Sequence, residues 1–238
     1  VRHAQYTAES IELAIFLALS GGLMDAYSYL MRDQVFANAQ TGNLLLLGVH
    51  VASGNFSYIS HYAMPVIAFA LGIAFIHFIS LYWVSSRVSW HTIAVAIEIA
   101  LLLGVGCIPA GQSLLANSLT SLACGIQVQA FRRLHGFPFA TTMCIGNLRA
   151  GMQELISYIS TSDPNVLEGI FLHYGTIACF VAGAIVGSKL VPLFGIHTIW
   201  GCCALLSVGL IILLVDTRQR IENKRKKHEA EKRSLAHE

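Results

Sequence analysis

The stretch Tyr62-Ala-Met-Pro-Val-Ile-Ala-Phe-Ala-Leu-Gly-Ile-Ala-Phe-Ile-His-Phe-Ile-Ser-Leu-Tyr-Trp-Val-Ser-Ser86 holds no Asp, Glu, Lys or Arg. It has the length that a helix needs to cross a bilayer, ~17–25 residues. A lipid-facing β-barrel strand would alternate at period two in units of ~10 residues. This run is continuously apolar and about twice that length, so the expectation is a transmembrane helix.

Working outward from it, hydropathy divides the chain into eight apolar segments, at about 13–31, 35–52, 62–86, 92–110, 113–131, 137–160, 170–188 and 196–215. The second, third, seventh and eighth carry no charged side chain. Asp25 interrupts the first and Glu98 the fourth. The fifth is polar but uncharged, with Asn117, Gln127 and Gln129. The sixth is the weakest, carrying Pro138, Arg149 and Glu154.

The 238 residues are 55% hydrophobic and 12% charged, with a mean hydropathy of +0.63. That charge content is about half the ~25% of a soluble domain. Its distribution sharpens the point. The last 23 residues, 216–238, hold eight Lys/Arg and five Asp/Glu, which leaves seven basic and eight acidic residues on 1–215. A water-soluble body of that size could not cover its surface with so few charges. The fold class read here is all-α: a polytopic integral membrane protein of eight apolar helical segments, six to eight of them spanning, in a lipid bilayer.

Other classes drop out. No basic face interleaved with aromatics points to nucleic acid. The six cysteines fall in apolar stretches without a CxxC pair, so reduced, buried thiols are expected rather than disulfides or zinc ligands. No metal site and no cofactor is expected. No basic n-region and A-x-A site precede a short apolar run, so no cleavable signal peptide is expected. No G-x-S-x-G, H-E-x-x-H or P-loop occurs, so no catalytic residue is named and an enzyme is not expected.

The chain repeats itself. A shift of 104 residues lays Gly21–Leu44 on Gly125–Leu148 without a gap, with six identities in 24 positions, among them Gly42/Gly146 and Asn43/Asn147. Asp25 meets Gln129. Further on, Phe69-Ala-Leu-Gly72 resembles Phe180-Val-Ala-Gly183, and His91-Thr92 resembles His197-Thr198. The organisation read from this is a first membrane repeat over 1–112, a second over 113–215 and a charged tail over 216–238.

The tail sets orientation. Arg218, Arg220 and the run Lys224–Lys227 follow the last span, so the C-terminus is expected in the cytoplasm. With eight spans, Arg32, Arg87, Arg132, Arg133 and Lys189 all lie outside. If 35–52 and 137–160 instead enter and leave on one side, only Arg32 and Lys189 do. The six-span reading fits the positive-inside bias better and relates the repeats by an inverted axis. Eight plain helices remain the alternative.

The candidate site residues follow from cost. A carboxylate in lipid pairs, takes a proton or meets a ligand; Asp25 and Glu98 are the two so placed. Thr41-Gly42-Asn43, and Thr142 and Asn147 in the second half, put donors, acceptors and a flexible glycine where freed backbone groups need partners. Gln127 and Gln129 add polar groups to the fifth segment. These seven, Asp25, Thr41, Asn43, Gln127, Gln129, Thr142 and Asn147, form the candidate substrate site, and Glu98 is the proton-coupling candidate. The bland reading of each is interhelical hydrogen bonding that locks packing. His77 and His173 read first as packing histidines, and Arg149 and Glu154 read equally as a rim pair.

Gly21-Gly-Leu-Met-Asp25-Ala26, then Val35-Phe36-Ala-Asn-Ala-Gln-Thr41-Gly42-Asn43 and Gly48, together with Gly125-Ile-Gln127, Thr141-Thr142 and Gly146-Asn147, resemble the YoaK-like family. The resemblance runs from about residue 10 to 215. It implies about six spans in a bacterial inner membrane and no established activity.

The functional expectation is a small secondary transporter or permease with a midplane polar site for an unknown small solute. The alternative is a non-transporting membrane scaffold or accessory subunit. A homodimer is compatible with so few helices, and the Lys/Arg-rich tail suits anionic lipid.

Overall fold

A computed structural model describes residues 10–83, 88–134, 137–138 and 141–235. Arg87 lies outside the described residues, as do the side chains of Arg133 and of the tail from residue 219 onward. The helices are α1 (Ile11–Met31), α2 (Gln40–Ala52), α3 (Ile59–Tyr82), α4 (Trp90–Val105), α5 (Ser113–Ala130), α6 (Cys144–Thr161), α7 (Leu167–Phe194) and α8 (Trp200–Leu235). A two-residue antiparallel bridge joins Arg133–Leu134 to Phe137–Pro138.

Three helical stretches are long and apolar enough to cross a membrane by length and composition: Ile11–Met31, Phe56–Tyr82 and Leu167–Arg218. The last contains α7 and α8 as far as Arg218, broken at Gly195, whose φ is 53°. Trp90–Val105 is a shorter apolar helix. Ile67, Leu71, Phe75, Phe78 and Leu81 of α3 stay exposed, as do Val181 and Ile185 of α7. Such apolar outer faces are compatible with a lipid bilayer.

The second and sixth segments are shorter as helices than hydropathy places them. α2 begins at Gln40, not 35, and α6 at Cys144, not 137. For the second the reason is local. Asp33 and Gln34 have φ of 61° and 60°, which no right-handed helix accepts. After Val35, the next three backbone N–H groups are taken by side chains: Phe36 N–H donates to Asn43 Oδ1 (3.0 Å), Ala37 N–H to Ser28 Oγ (3.1 Å) and Asn38 N–H to Asp25 Oδ1 (2.7 Å). Backbone tied to side chains is withheld from a helical ladder. The 13 residues of α2 rise about 20 Å, short of a hydrocarbon core of about 30 Å.

α1 packs on α7 and α8, α3 on α5, and α4 on α5 and α8; α2 lies on α3 and α6 on α7. Two crossings are closed by glycine. A Cβ on Gly22 would overlap the carbonyl of Phe180 in α7, and one on Gly183 the carbonyl of Leu19. In the same way Gly125 meets the carbonyl of Phe69 in α3, and Gly72 that of Leu122. Only glycine permits backbones this close. The contacts therefore match Gly22, rather than Gly21, with Gly125, one residue off the gapless alignment.

Arg32, placed by sequence in an outer loop, is fully buried. Its guanidinium donates to the Tyr27 hydroxyl and to the carbonyls of Val105, Ile108 and Pro109. It thus answers the open carbonyl end of α4, where a cation is favoured.

Candidate functional site

A cavity of about 690 Å³ lies between α1, α3, α7 and the first turns of α2 and α6. The break before each short helix delivers its residues there: Asn38, Ala39, Gln40 and Thr41 from one, Thr142, Met143, Cys144, Ile145 and Gly146 from the other. Asp25 of α1 also borders it. Phe36, Phe69 and Phe180 supply apolar wall.

Three of the seven candidate residues therefore meet at one cavity: Asp25, Thr41 and Thr142. Asp25 is buried, and its Oδ1 holds the Asn38 N–H. Three others are buried and turned to internal bonds. Asn43 donates to the Phe36 carbonyl (2.7 Å) and to Gln40 Oε1 (2.8 Å). Gln127 donates to the Leu17 carbonyl (3.1 Å) and to Thr141 Oγ1 (3.0 Å). Asn147 Oδ1 lies 3.1 Å from His173 Nδ1. Gln129, two residues from Gln127 and so about 200° round the helix, sits elsewhere, 3.2 Å from His77 Nδ1.

Sequence reasoning passed over Asn38 and Gln40. Asn38 falls opposite Thr142 in the 104-residue shift of the sequence, a signal that could have found it. Both are nine-tenths buried at the cavity, and each holds an oxygen without a hydrogen-bond partner, Asn38 Oδ1 and Thr142 Oγ1. Asn38 Nδ2 donates to the Gly21 carbonyl (3.1 Å), and the Thr142 methyl rests against Gly21.

A second cavity of about 740 Å³ is lined by Asp33, Gln34, His50, Tyr58, His61 and Tyr62, and shares Tyr29 and Leu30 with the first. Tyr29 stacks on Phe36 with centroids 5.1 Å apart, so an aromatic pair stands where the two cavities adjoin. Among the described residues, the charged side chains of Asp25 and Asp33 border these spaces and no Lys or Arg does.

Glu98 lies outside both cavities, in α4, fully buried, with neither carboxyl oxygen partnered. Glu154 faces His173 at 3.8 Å rather than forming the expected pair with Arg149. No group of three or more His, Cys, Asp or Glu suited to a metal ion occurs among the described residues.

A family model described as "Protein of unknown function (DUF1275)" matches residues 13–212, and the chain belongs to that family. The match runs over the body of chain that carries the YoaK-like residues. No curated protein and no solved structure matches it.

Proposed function

Starting from a family without an assigned activity, we propose that this protein is a small-solute permease of the bacterial inner membrane, with its C-terminus in the cytoplasm. The observation that carries the reading is the convergence of both helix breaks on one cavity beside Asp25. Non-helical backbone at membrane depth is tolerated where it lines protein or a water-filled space. Binding sites of inverted-repeat transporters sit at such breaks, between the repeats.

The packing supports two repeats, 1–112 and 113–215. α1 lies on α7 as α5 lies on α3, each crossing closed by a glycine pair, and α1 on α8 as α5 on α4. Related halves that exchange partners in this way form one site at their shared axis. Glu98 serves as the proton carrier, a buried carboxyl free of any competing partner.

The test is a thermal-shift screen of the detergent-purified full chain across amino acids, sugars, nucleobases, organic acids and metal ions. A ligand at 100 times its dissociation constant adds about 2.7 kcal/mol. Asp25→Asn should lose that shift while keeping an acceptor for the Asn38 N–H. One observation favours the scaffold reading: Asp25 Oδ1 is already engaged in pinning the 35–39 segment. On that reading no solute shifts the wild type, and Asp25→Asn alters stability alone.

A further inference from the structure

We propose that the second cavity, the one bordered by Asp33, Tyr58 and His61, is a recognition site for an organic ammonium ion. It is separate from the cavity that carries the permease reading and stands or falls on its own.

Its walls are aromatic, and the rings brace one another. His50 stacks on Tyr58 with centroids 4.5 Å apart and on Tyr62 at 5.4 Å, with interplanar angles of 17° and 18°. His61 stands edge-on to both tyrosines, at 85° and 88°. Tyr62 is buried and Tyr58 is 47% exposed, so the cluster is anchored at one tyrosine and open at the other. Tyr29, 41% exposed, borders the same space. Two tyrosines with open surface thus line a cavity of about 740 Å³.

The charged side chain at this cavity, among the described residues, is an acid. Asp33 and Gln34 are both exposed, and both keep a positive φ, 61° and 60°. Residues other than glycine hold that backbone only where their surroundings impose it. Here Gln34 N–H donates to the Tyr29 carbonyl (3.2 Å), and His61 Nε2 lies 3.0 Å from the Asp33 carbonyl. A carbonyl only accepts, so Nε2 carries the proton and donates. Asp33 is thereby fastened to the aromatic cluster by its backbone. Its carboxylate has no ion-pair partner among the described residues. The neighbouring Arg32 is buried and committed to Tyr27 and to the carbonyls that end α4.

Open aromatic rings beside an accessible, unpaired carboxylate select a cation. An alkylated ammonium is drawn to the face of such rings by their quadrupole. A hard metal ion instead needs six or so oxygen ligands, and no group of three or more His, Cys, Asp or Glu suited to a metal occurs among the described residues. An anion would meet Asp33 with no Lys or Arg at the cavity to offset it. A sugar would stack on the rings but leave the charge unused. Leu30 and Met31 supply apolar surface for alkyl groups.

The probes are choline and its uncharged carbon isostere 3,3-dimethylbutan-1-ol, with glucose as the neutral stacking solute. Each is titrated by calorimetry into the full chain in a polyoxyethylene detergent, at about pH 8, where free imidazole is neutral. Choline should bind, and the isostere at least about tenfold more weakly, as a desolvated cation–π contact requires. Asp33→Asn should bring choline down to the level of the alcohol. Asparagine accepts the positive φ as aspartate does, so that variant keeps the fold. Tyr58→Phe should bind choline as the wild type does, and Tyr58→Leu about threefold or more weakly, because the ring and not the hydroxyl is used. Equal affinity for choline and the alcohol, no binding of choline, or tighter binding of glucose overturns the proposal. So does choline binding that survives Asp33→Asn and is abolished by Ser188→Trp, which crowds the first cavity from an exposed position of α7.

Discussion

Arg32 and Tyr27 meet at 2.8 Å, guanidinium Nε to phenol oxygen, one turn and a half apart on the same stretch of chain and both fully buried. The guanidinium carbon also lies 5.6 Å from the Tyr27 ring centroid. With the carbonyls of Val105, Ile108 and Pro109 as further acceptors, the cation is satisfied without a carboxylate. The pair fastens the end of α1 to the end of α4.

Removing the fork should be costly. Arg32→Lys keeps the charge but not the planar array of donors. It should destabilise by about 3 kcal/mol or more, because several buried carbonyls lose their partner. Tyr27→Phe removes one charge-assisted bond and should cost about 1.5–3 kcal/mol. Thermal unfolding in detergent reads both; an Arg32→Lys variant as stable as the wild type would sink the account.

The glycine crossings should respond to a single methyl. Gly22→Ala, Gly72→Ala, Gly125→Ala and Gly183→Ala each drive a Cβ into a carbonyl of the facing helix and should cost about 1–3 kcal/mol or more. Gly104→Ala in α4 and Gly175→Ala in α7 meet nothing within 4 Å. They should be neutral or stabilise by up to about 1 kcal/mol through helix propensity. Parallel melting curves of the six variants decide the matter.

Asp25 can be split into its two roles. Asp25→Asn retains an acceptor for Asn38 N–H and should shift stability by less than about 1 kcal/mol. Asp25→Ala strands that buried N–H and should cost about 1–3 kcal/mol. If the two substitutions destabilise alike, the carboxylate's charge, not its hydrogen bond, holds the 35–39 segment.

Cys144 offers a native reporter. It lines the cavity half-buried, whereas Cys124 and Cys202 are buried. In a Cys107→Ser background, a water-soluble thiosulfonate should label Cys144, and Ser188→Trp should slow that labelling about tenfold by closing access. Mass spectrometry of the labelled peptide gives the rate. Labelling at an unchanged rate would mean that the thiol is reached from elsewhere.

Glu98 should be expendable for folding. Both its oxygens are buried and unpartnered, so an apolar residue of similar size relieves a desolvation cost of about 1–3 kcal/mol. Glu98→Met should melt higher than the wild type, and Glu98→Gln about level with it. On the proposed permease reading, transport by Glu98→Gln should lose its dependence on a proton gradient. A melting temperature lowered by Glu98→Met would point instead to a structural partner.

Hydropathy made the long helices legible, since a run such as 62–82 has no other way to bury its backbone. It misplaced the starts of α2 and α6. The segment before α2 is apolar enough to be helical, but Asp25, Ser28 and Asn43 claim its N–H groups across 7 to 13 residues of chain. That competition depends on which side chains the fold brings near. Polarity alone likewise placed Gln127 and Gln129 together, although helical geometry sends two such neighbours to different faces. Asn38 was readable from the 104-residue sequence shift, which carries Thr142 back onto it.

The two glycine-closed crossings also bear on how the molecule can move. Where backbone rests on backbone, no side chain is available to change rotamer and let the helices slide. Along these two seams, α1 with α7 and α3 with α5 travel as pairs, so each pair joins an element from before residue 112 to one from after it. Rearrangement is left to the contacts between the pairs and to the short helices α2 and α6, which reach the cavity by their first turns. On the proposed permease reading, a substrate cycle is a relative rotation of two mixed pairs, with the starts of α2 and α6 as the moving jaws.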